Sequence, residues 1–235
     1  MCILLALILG ACAGTPDAPA LPDYSKLPPR QLLAAWLEEE QHPDTLRFRF
    51  NSEVDVEADK TEGLQGVCGY RRCGGLRMQL LGPLGITLLD YLEVSGESRL
   101  MVNKITDEGD DEARTGLLQL LQALSLALTG ICQPVDTFEL GHFDDRAADF
   151  SLRRPQGPAL GFTLDRQRGR LIRQTVSDEG LPGFTIDYSD YGEVDGRWMP
   201  GRLDIHTADS PTSIRLTVDR WTLGKPFPDD FFDAD

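Results

Sequence analysis

The sequence has few of the residues that build disulfide scaffolds, metal sites and nucleic-acid surfaces. Its 235 residues include five cysteines and three histidines, and five cysteines are too few for a disulfide-rich domain of this length. Basic residues are also scarce, because 23 Lys and Arg stand against 38 Asp and Glu and leave a net charge of −15. Such a chain repels a phosphate backbone, so we expect no nucleic-acid partner.

Long apolar stretches are missing as well. No run reaches the roughly 18–20 residues that cross a bilayer as a helix, which excludes a polytopic membrane protein. Hydrophobic residues nevertheless make up 41% of the chain, which is enough for a sizeable core and argues against disorder of the whole chain. The length favours one domain, or at most two small ones.

The first dozen residues are typical of an export signal. Every residue from Cys2 to Leu9 is apolar, and a run of this length suits the apolar region of a secretory signal peptide. Leu9-Gly10-Ala11-Cys12 resembles a bacterial lipobox, whose cysteine is acylated and becomes the first mature residue. Residues 1–11 are then a signal peptide and Cys12 is the lipid attachment site. The alternative is an ordinary apolar strand or helix with an incidental cysteine.

Residues 12–28 are predicted to be a lipid-anchored flexible tether, and residues 29–235 the globular domain. The tether is rich in Pro and Ala and contains little that can pack. Multiple acyl chains on one cysteine anchor a protein stably, since each buried methylene contributes about 0.8 kcal/mol. Ala13 is not the aspartate that retains lipoproteins in the inner membrane of enteric bacteria, so the outer membrane is favoured.

The globular domain alternates between helix and strand patterns. A helix is predicted from near Pro29 to before Pro43, and a second one, apolar almost all round, over Leu117 to Leu128. Elsewhere apolar and polar residues alternate with period two, as from Leu46 to Phe50, which is typical of antiparallel strands with one face in water. About ten strands and two or three helices predict an α+β fold. The many hairpins predict a strongly curved antiparallel sheet, or incomplete β-barrel, with helices lidding its concave face.

Two segments of the domain carry motifs of a known family. Residues Leu76 to Leu89 form a predicted strand, a Pro-Leu-Gly loop and another strand. The C-terminal part contains Val194-Asp195-Gly196, Trp198-Met199-Pro200 and an aromatic ending from Trp221 to Phe231. With the lipobox and the order of elements, these segments resemble the LolA/LolB-like superfamily, and within it the LolB-type outer-membrane lipoprotein receptors. The resemblance covers Pro29 to Phe232.

The resemblance implies an apolar cavity for acyl chains inside an incomplete barrel. It also implies that Gly82-Pro83-Leu84-Gly85 is a loop that exposes Leu84 for insertion into a membrane or for lipoprotein transfer. A turn here would push the leucine outward, where lipid or a partner buries it; the alternative is a buried leucine in an ordinary turn. The candidate cavity-lining residues are Leu117, Leu121, Leu124, Leu128, Trp198 and Trp221.

The predicted function is that of a periplasm-facing outer-membrane lipoprotein. It would bind acyl chains of lipoproteins or lipids, in lipoprotein localisation or lipid transfer, as a monomer. The expected partners are these acyl chains, the membrane through the lipid anchor, and a periplasmic LolA-like carrier. The alternative is a structural or accessory lipoprotein of envelope assembly, with the same fold and a filled cavity.

No catalytic or metal site is predicted, and we expect neither enzymatic activity nor a cofactor. His42, His142 and His206 lie in unrelated contexts, without metal-ligand spacing or a nucleophile elbow. Asp107 to Glu112 is an acidic loop that lacks the ligand spacing of a calcium loop. The arginines from Arg166 to Arg173 are either a surface for anionic head groups or, more simply, the water-facing side of a hairpin.

The cysteines offer one predicted cross-link. The family pattern places a hairpin turn between Cys68 and Cys73, and a disulfide between them is favoured in an oxidising periplasm; free thiols are the alternative. Cys132 is expected to be buried as a small hydrophobic residue.

Overall fold

The computed structural model describes ten stretches of the chain. They are residues 24–41, 43–56, 59–72, 74–106, 110–129, 137–152, 159–178, 181–207, 213–228 and 230–233. The predicted signal peptide, Cys12 and most of the tether therefore lie outside the described residues, as do His42, Cys73 and Cys132. What was predicted for these residues stays a prediction.

The described residues form two α-helices and fourteen strands. Helix α1 spans Pro29–Gln41 and α2 spans Asp111–Thr129. Over these residues, neither helix is long and apolar enough to cross a membrane. The strands are β1 Thr45–Val56, β2 Asp59–Arg71, β3 Gly75–Leu81, β4 Thr87–Val94, β5 Glu97–Asn103, β6 Glu139–Phe143, β7 Ala147–Leu152, β8 Ala159–Asp165, β9 Arg170–Asp178, β10 Leu181–Ser189, β11 Gly192–Val194, β12 Arg197–Met199, β13 Arg202–Thr207 and β14 Ser213–Leu223.

Twelve strands form one antiparallel sheet whose middle joins the two ends of the domain. Its order is β5-β4-β3-β2-β1-β14-β13-β10-β9-β8-β7-β6, with β5 and β6 at the open edges. The first strand pairs with the last, as in the register of Phe48 with Trp221. The sheet is not closed, so the predicted α+β fold with an incomplete, curved barrel is confirmed.

The boundaries differ from the sequence prediction in two places. Helix α2 begins at Asp111, about two turns before the predicted start at Leu117, so the end of the predicted acidic loop is helical. Acidic residues in a first turn are favoured because they face the positive end of the helix dipole. Strands β6 and β7 were not recognised in the sequence, and they form one edge of the sheet.

The inner face of the sheet packs against both helices. Alternate residues of β1, Leu46, Phe48 and Phe50, are buried, as the period of two predicts. From α1, Trp36 packs at 5.1 Å, between ring centroids, against Phe162 of β8. Helix α2 contacts β2, β3 and β4, and also β9 from the other half of the sheet. Because these strands lie far apart in the sheet order, one helix meets all of them only if the sheet is strongly curved.

The C-terminal segment lies across the outer face of β1 to β3. The rings of Phe227 and Phe231 stack at 4.4 Å between centroids, and the Arg47 guanidinium lies 5.4 Å from the Phe227 ring. Arg77 donates a hydrogen bond of 2.9 Å to the backbone oxygen of Phe231. Gly69 leaves room for these rings, since a Cβ there would lie 2.7 Å from Phe231.

A buried carboxylate lies beside this segment. Asp90 of β4 is 5% exposed and accepts two hydrogen bonds from Arg77, of 3.0 and 2.8 Å, and one of 2.8 Å from Gln79. A buried charge is strongly destabilising unless it is paired and hydrogen-bonded. The same arginine thus satisfies Asp90 and holds the C-terminal segment.

The close packing of Gly66 against Phe50 yields a test of the core. A Cβ at Gly66 would lie 2.2 Å from the ring of Phe50, which is buried. We expect Gly66→Ala to lower the free energy of unfolding by about 1–3 kcal/mol in urea denaturation, because the ring must move.

The matched control is Gly116→Ala in α2, where a Cβ would meet no atom within 4 Å. It should raise the free energy of unfolding by about 0.5–1 kcal/mol, because alanine favours a helix. Equal effects of the two substitutions would contradict the described packing.

Candidate ligand cavity and exposed loop

A cavity of about 410 Å³ lies between the helices and the inner face of the sheet. Both helices, strands from both halves of the sheet and the β11–β12 hairpin contribute to its wall. Ligand pockets in proteins are about 300–1,000 Å³ and are lined mainly by apolar and aromatic groups with a few polar ones. The aromatic side chains of the wall are Tyr24, Trp36, Tyr70, Tyr188, Tyr191, Trp198 and Trp221.

A buried hydrogen-bond chain fixes the end of α2 over this cavity. The hydroxyl of Tyr188 donates to Gln174 Oε1 at 2.7 Å, and Gln174 Nε2 donates to the backbone oxygen of Ala127 at 2.9 Å. All three residues border the cavity. The amide of Gln174 is therefore satisfied although its side chain is buried, as buried polar groups require.

Helix α1 is tied to the β11–β12 hairpin and to the chain before it. The hydroxyl of Tyr24 donates to Glu39 Oε1 at 2.5 Å, and burial, together with this carboxylate, raises the pKa of Tyr24. Arg197 Nη1 donates to the backbone oxygen of Glu39 at 2.6 Å. The hairpin turns at Asp195-Gly196, both with positive φ, as expected for a two-residue hairpin loop.

One end of the cavity reaches solvent at the β8–β9 turn. Here Arg168 and Trp198 border the cavity with side chains that remain substantially exposed. The guanidinium of Arg170 lies 4.0 Å from the centroid of the Trp198 ring and 5.3 Å from that of Tyr191. Distances this short are typical of cation–π contacts. The solvent end of the cavity therefore combines aromatic rings with the guanidinium groups of Arg168 and Arg170.

The predicted lining residues divide between the cavity and the core. Leu128, Trp198 and Trp221 border the cavity. Leu121 and Leu124 are buried in the core, and Leu117 packs partly buried against it. Among the described residues, α2 reaches the cavity wall with Ala127 and Leu128, at its last turns. Contact of any of these residues with an acyl chain stays a prediction.

Sequence reasoning missed the polar part of the wall. Gln174, Tyr188 and Arg170 border the cavity. Gln174 and Tyr188 were not identified as site residues, and Arg170 was considered only within the Arg166 to Arg173 cluster. A signal was present, because Gln174 interrupts the apolar inward positions of β9 and is buried. Its meaning required the knowledge that β9 lies under the end of α2.

The predicted loop is an exposed turn between β3 and β4. Pro83–Gly85 is a 3-10 turn, and Leu84 within it is fully exposed. This excludes the alternative of a buried leucine. Leu84 also has a left-handed backbone, with φ 60 and ψ 17, which costs a non-glycine residue roughly 1–2 kcal/mol. Ile86 beside it is 52% exposed, so the turn presents two apolar side chains.

The arginines from Arg166 to Arg173 do not form one surface. Arg166 is buried, lies 4.1 Å from the centroid of Phe143 and donates to two backbone oxygens at 2.6 Å. Arg173 is exposed and pairs with an aspartate of β10 at 2.7 Å. Arg168 and Arg170 border the cavity. The β8–β9 hairpin therefore contributes one arginine to the core and two to the cavity wall, and does not only face water.

The remaining predicted candidates are isolated groups. Cys68 is buried, and burial raises the pKa of its thiol. Cys73 lies outside the described residues, so the bridge stays a prediction. His142 is exposed and lies 3.3 Å from Asp144. Over the part of the chain that is described, no three His, Cys, Asp or Glu side chains are grouped to hold a metal ion.

Comparisons of sequence and of structure both find relatives of the chain. No family model matches the sequence. The outer-membrane lipoprotein LolB of Serratia proteamaculans is 28% identical over 148 residues, which are 63% of this chain and 60% of that protein. A solved structure of a LolA superfamily protein from Nitrosomonas europaea has a TM-score of 0.64 and 11% identity, and covers 88% of this chain and 98% of its own.

A second solved structure, of a DUF1329 family protein from Desulfovibrio piger, has a TM-score of 0.57 and 9% identity. It covers 87% of this chain and 95% of its own. At such low identity these two likenesses establish the fold alone. The match to LolB spans about three fifths of each chain.

The strained backbone of Leu84 gives a prediction of unusual sign. We expect Leu84→Asn to raise the free energy of unfolding by about 0.5–1 kcal/mol, because asparagine tolerates the left-handed region and no packing is lost. Urea denaturation measures the change. Leu140→Asn, at a half-exposed leucine of β6, is the control and should give no gain. A clear loss of stability in Leu84→Asn would mean that the leucine packs against the domain.

Proposed function

We propose that the chain binds acyl chains of lipoproteins or lipids in its cavity, because it is similar in sequence to LolB and in fold to a LolA superfamily protein. The observation that carries this proposal is the cavity of about 410 Å³ beneath the helices, with all three tryptophans of the chain in its wall. The protein acts as a carrier or receptor in lipoprotein localisation or lipid transfer, without covalent chemistry.

The driving force is the removal of apolar surface from water. Burial of each methylene of an acyl chain contributes about 0.8 kcal/mol, or about 25 cal/mol per Å² of apolar surface. Aromatic walls suit such a ligand, since large rings offer much contact area and lose few rotamers. The Gln174 amide in the wall is already hydrogen-bonded to Tyr188 and Ala127. An apolar chain in the cavity therefore leaves no hydrogen bond of this amide unformed.

Leu84 is proposed to insert into the membrane, or to contact the cargo, during transfer. It is fully exposed on a turn, with Ile86 beside it. An exposed leucine in a strained backbone is disfavoured in the free protein, and burial in lipid offsets that cost. Gly82, Pro83 and Gly85 shape the turn that presents it.

The proposed location is the periplasmic face of the outer membrane, with the lipid anchor on Cys12. The name of the Serratia relative, an outer-membrane lipoprotein, supports this location. A periplasmic LolA-like carrier is the proposed partner that hands over the cargo. The alternative, an accessory lipoprotein with a filled cavity, is disfavoured by the size of the cavity.

A substitution that fills the cavity tests acyl binding. Ala127 is buried at the cavity wall on α2. Titration of the purified protein with monopalmitoylglycerol should give a saturable change in tryptophan fluorescence. Ala127→Phe should weaken that binding at least about tenfold, which is 1.4 kcal/mol or more, because the ring occupies the acyl site.

Ala34→Phe on the exposed side of α1 is the matched control and should bind as the unmodified protein does. Circular dichroism confirms that both variants fold. If the unmodified protein shows no saturable change, or Ala127→Phe binds equally well, the cavity is not an acyl site.

A charge at the exposed turn tests transfer. Release of a pyrene-labelled palmitoyl lipid from the protein to phosphatidylethanolamine vesicles should slow about tenfold in Leu84→Glu, because burial of a leucine in lipid is worth about 1.5–3 kcal/mol. Leu140→Glu, on β6, carries the same change elsewhere on the surface and should transfer at the unmodified rate. Equal rates for all three proteins would remove Leu84 from the mechanism.

A further inference from the structure

The wall of the cavity is positively charged in a protein that is strongly negative. The chain carries a net charge of −15, yet four arginines and two carboxylates border the cavity. They are Arg72, Arg168, Arg170, Arg197, Glu39 and Asp195. A purely apolar ligand would draw no benefit from this reversal of sign.

The guanidinium of Arg170 is incompletely hydrogen-bonded. Its Nε atom is buried and has no hydrogen-bond partner among the described residues. Burial lowers the pKa of Arg170, and the neighbouring Arg168 lowers it further. A buried donor without an acceptor is destabilising. The rings of Trp198 and Tyr191 hold the guanidinium in place.

Arg168 and Arg170 lie where the cavity meets solvent. The side chain of Arg168 is 65% exposed, and its nearest carboxylate, that of Asp165, is 3.9 Å away. Both arginines also border an open depression that shares Tyr188, Tyr191 and Trp198 with the cavity, and Asp165 and Asp190 border this depression too. A ligand whose chain fills the cavity would therefore place its polar end beside these two guanidinium groups.

We propose that Arg170, assisted by Arg168, binds the anionic group of an amphiphile whose acyl chain occupies the cavity. The recognised chemistry is a phosphate or carboxylate, because a planar guanidinium donates two parallel hydrogen bonds to either. Such a group would accept hydrogen bonds from the guanidinium and compensate its charge. This inference rests on the proposed function, since it assigns the head-group end of the same ligand.

A matched pair of lipids tests the inference. Palmitoyl lysophosphatidic acid and monopalmitoylglycerol have the same acyl chain and glycerol, and differ by the phosphate. By calorimetry, the unmodified protein should bind the phosphate-bearing lipid about tenfold more tightly, and Arg170→Gln should bind the two lipids with equal affinity. Binding of palmitate tests recognition of a carboxylate head group. Binding of inorganic phosphate tests recognition of a free anion without an acyl chain.

Two further variants keep the test decisive. Arg168→Gln changes an exposed side chain, so it folds even if Arg170→Gln does not, and it should reduce the preference about threefold. Arg173→Gln, in the same strand but paired with Asp187 on the exposed side, should leave the preference unchanged.

The outcomes distinguish the two proposals. Equal affinity of the unmodified protein for the two lipids overturns the head-group site and leaves acyl binding standing. An equal loss for both lipids in Arg170→Gln gives Arg170 a structural role only, and it also overturns the inference. If neither lipid binds the unmodified protein, the proposed function fails and this inference fails with it.

Discussion

The packing of α2 against both halves of one sheet is the constraint on which the rest of the structure depends. This helix contacts β2, β3 and β4 on one side and β9 on the other, and the hydrogen bond from Gln174 to Ala127 fixes its last turns. A flat sheet cannot meet one helix at such distant strands. The curvature that follows creates a hollow, and the helices close it only in part, which leaves the cavity beside the end of α2.

Charged side chains lie on both sides of the sheet in different surroundings. On the outer face, charge is neutralised within the protein, since Asp90 is fully hydrogen-bonded by Arg77 and Gln79. On the inner face, Arg170 is held by aromatic rings and its Nε lacks an acceptor. Buried charges are normally paired because their desolvation is so unfavourable. The proposal of a ligand with both an acyl chain and an anionic group rests on the cavity and on the arginines that border it.

The exposed turn between β3 and β4 contains a leucine in an unfavourable conformation and environment. Leu84 combines full exposure with a left-handed backbone, and each is unfavourable for a leucine in water. Residues under local strain cluster at functional sites, because the surrounding structure enforces them. The rigid strands β3 and β4 on either side of the turn supply that enforcement here.

Local periodicity predicted the α+β class and both helices. The outward position of Leu84 was predicted from the family resemblance and from the turn residues Pro83 and Gly85. Alternation over Leu46 to Phe50 states which side chains share a face, since the backbone geometry of a strand imposes a period of two. It does not state which strand lies beside which. Long-range strand pairing and sheet curvature determine that β1 pairs with β14. They also determine that Gln174 and Arg170 border the cavity, whereas Leu121 and Leu124 are buried in the core. These depend on the whole folded chain, because each position acquires its environment from strands and helices distant in sequence.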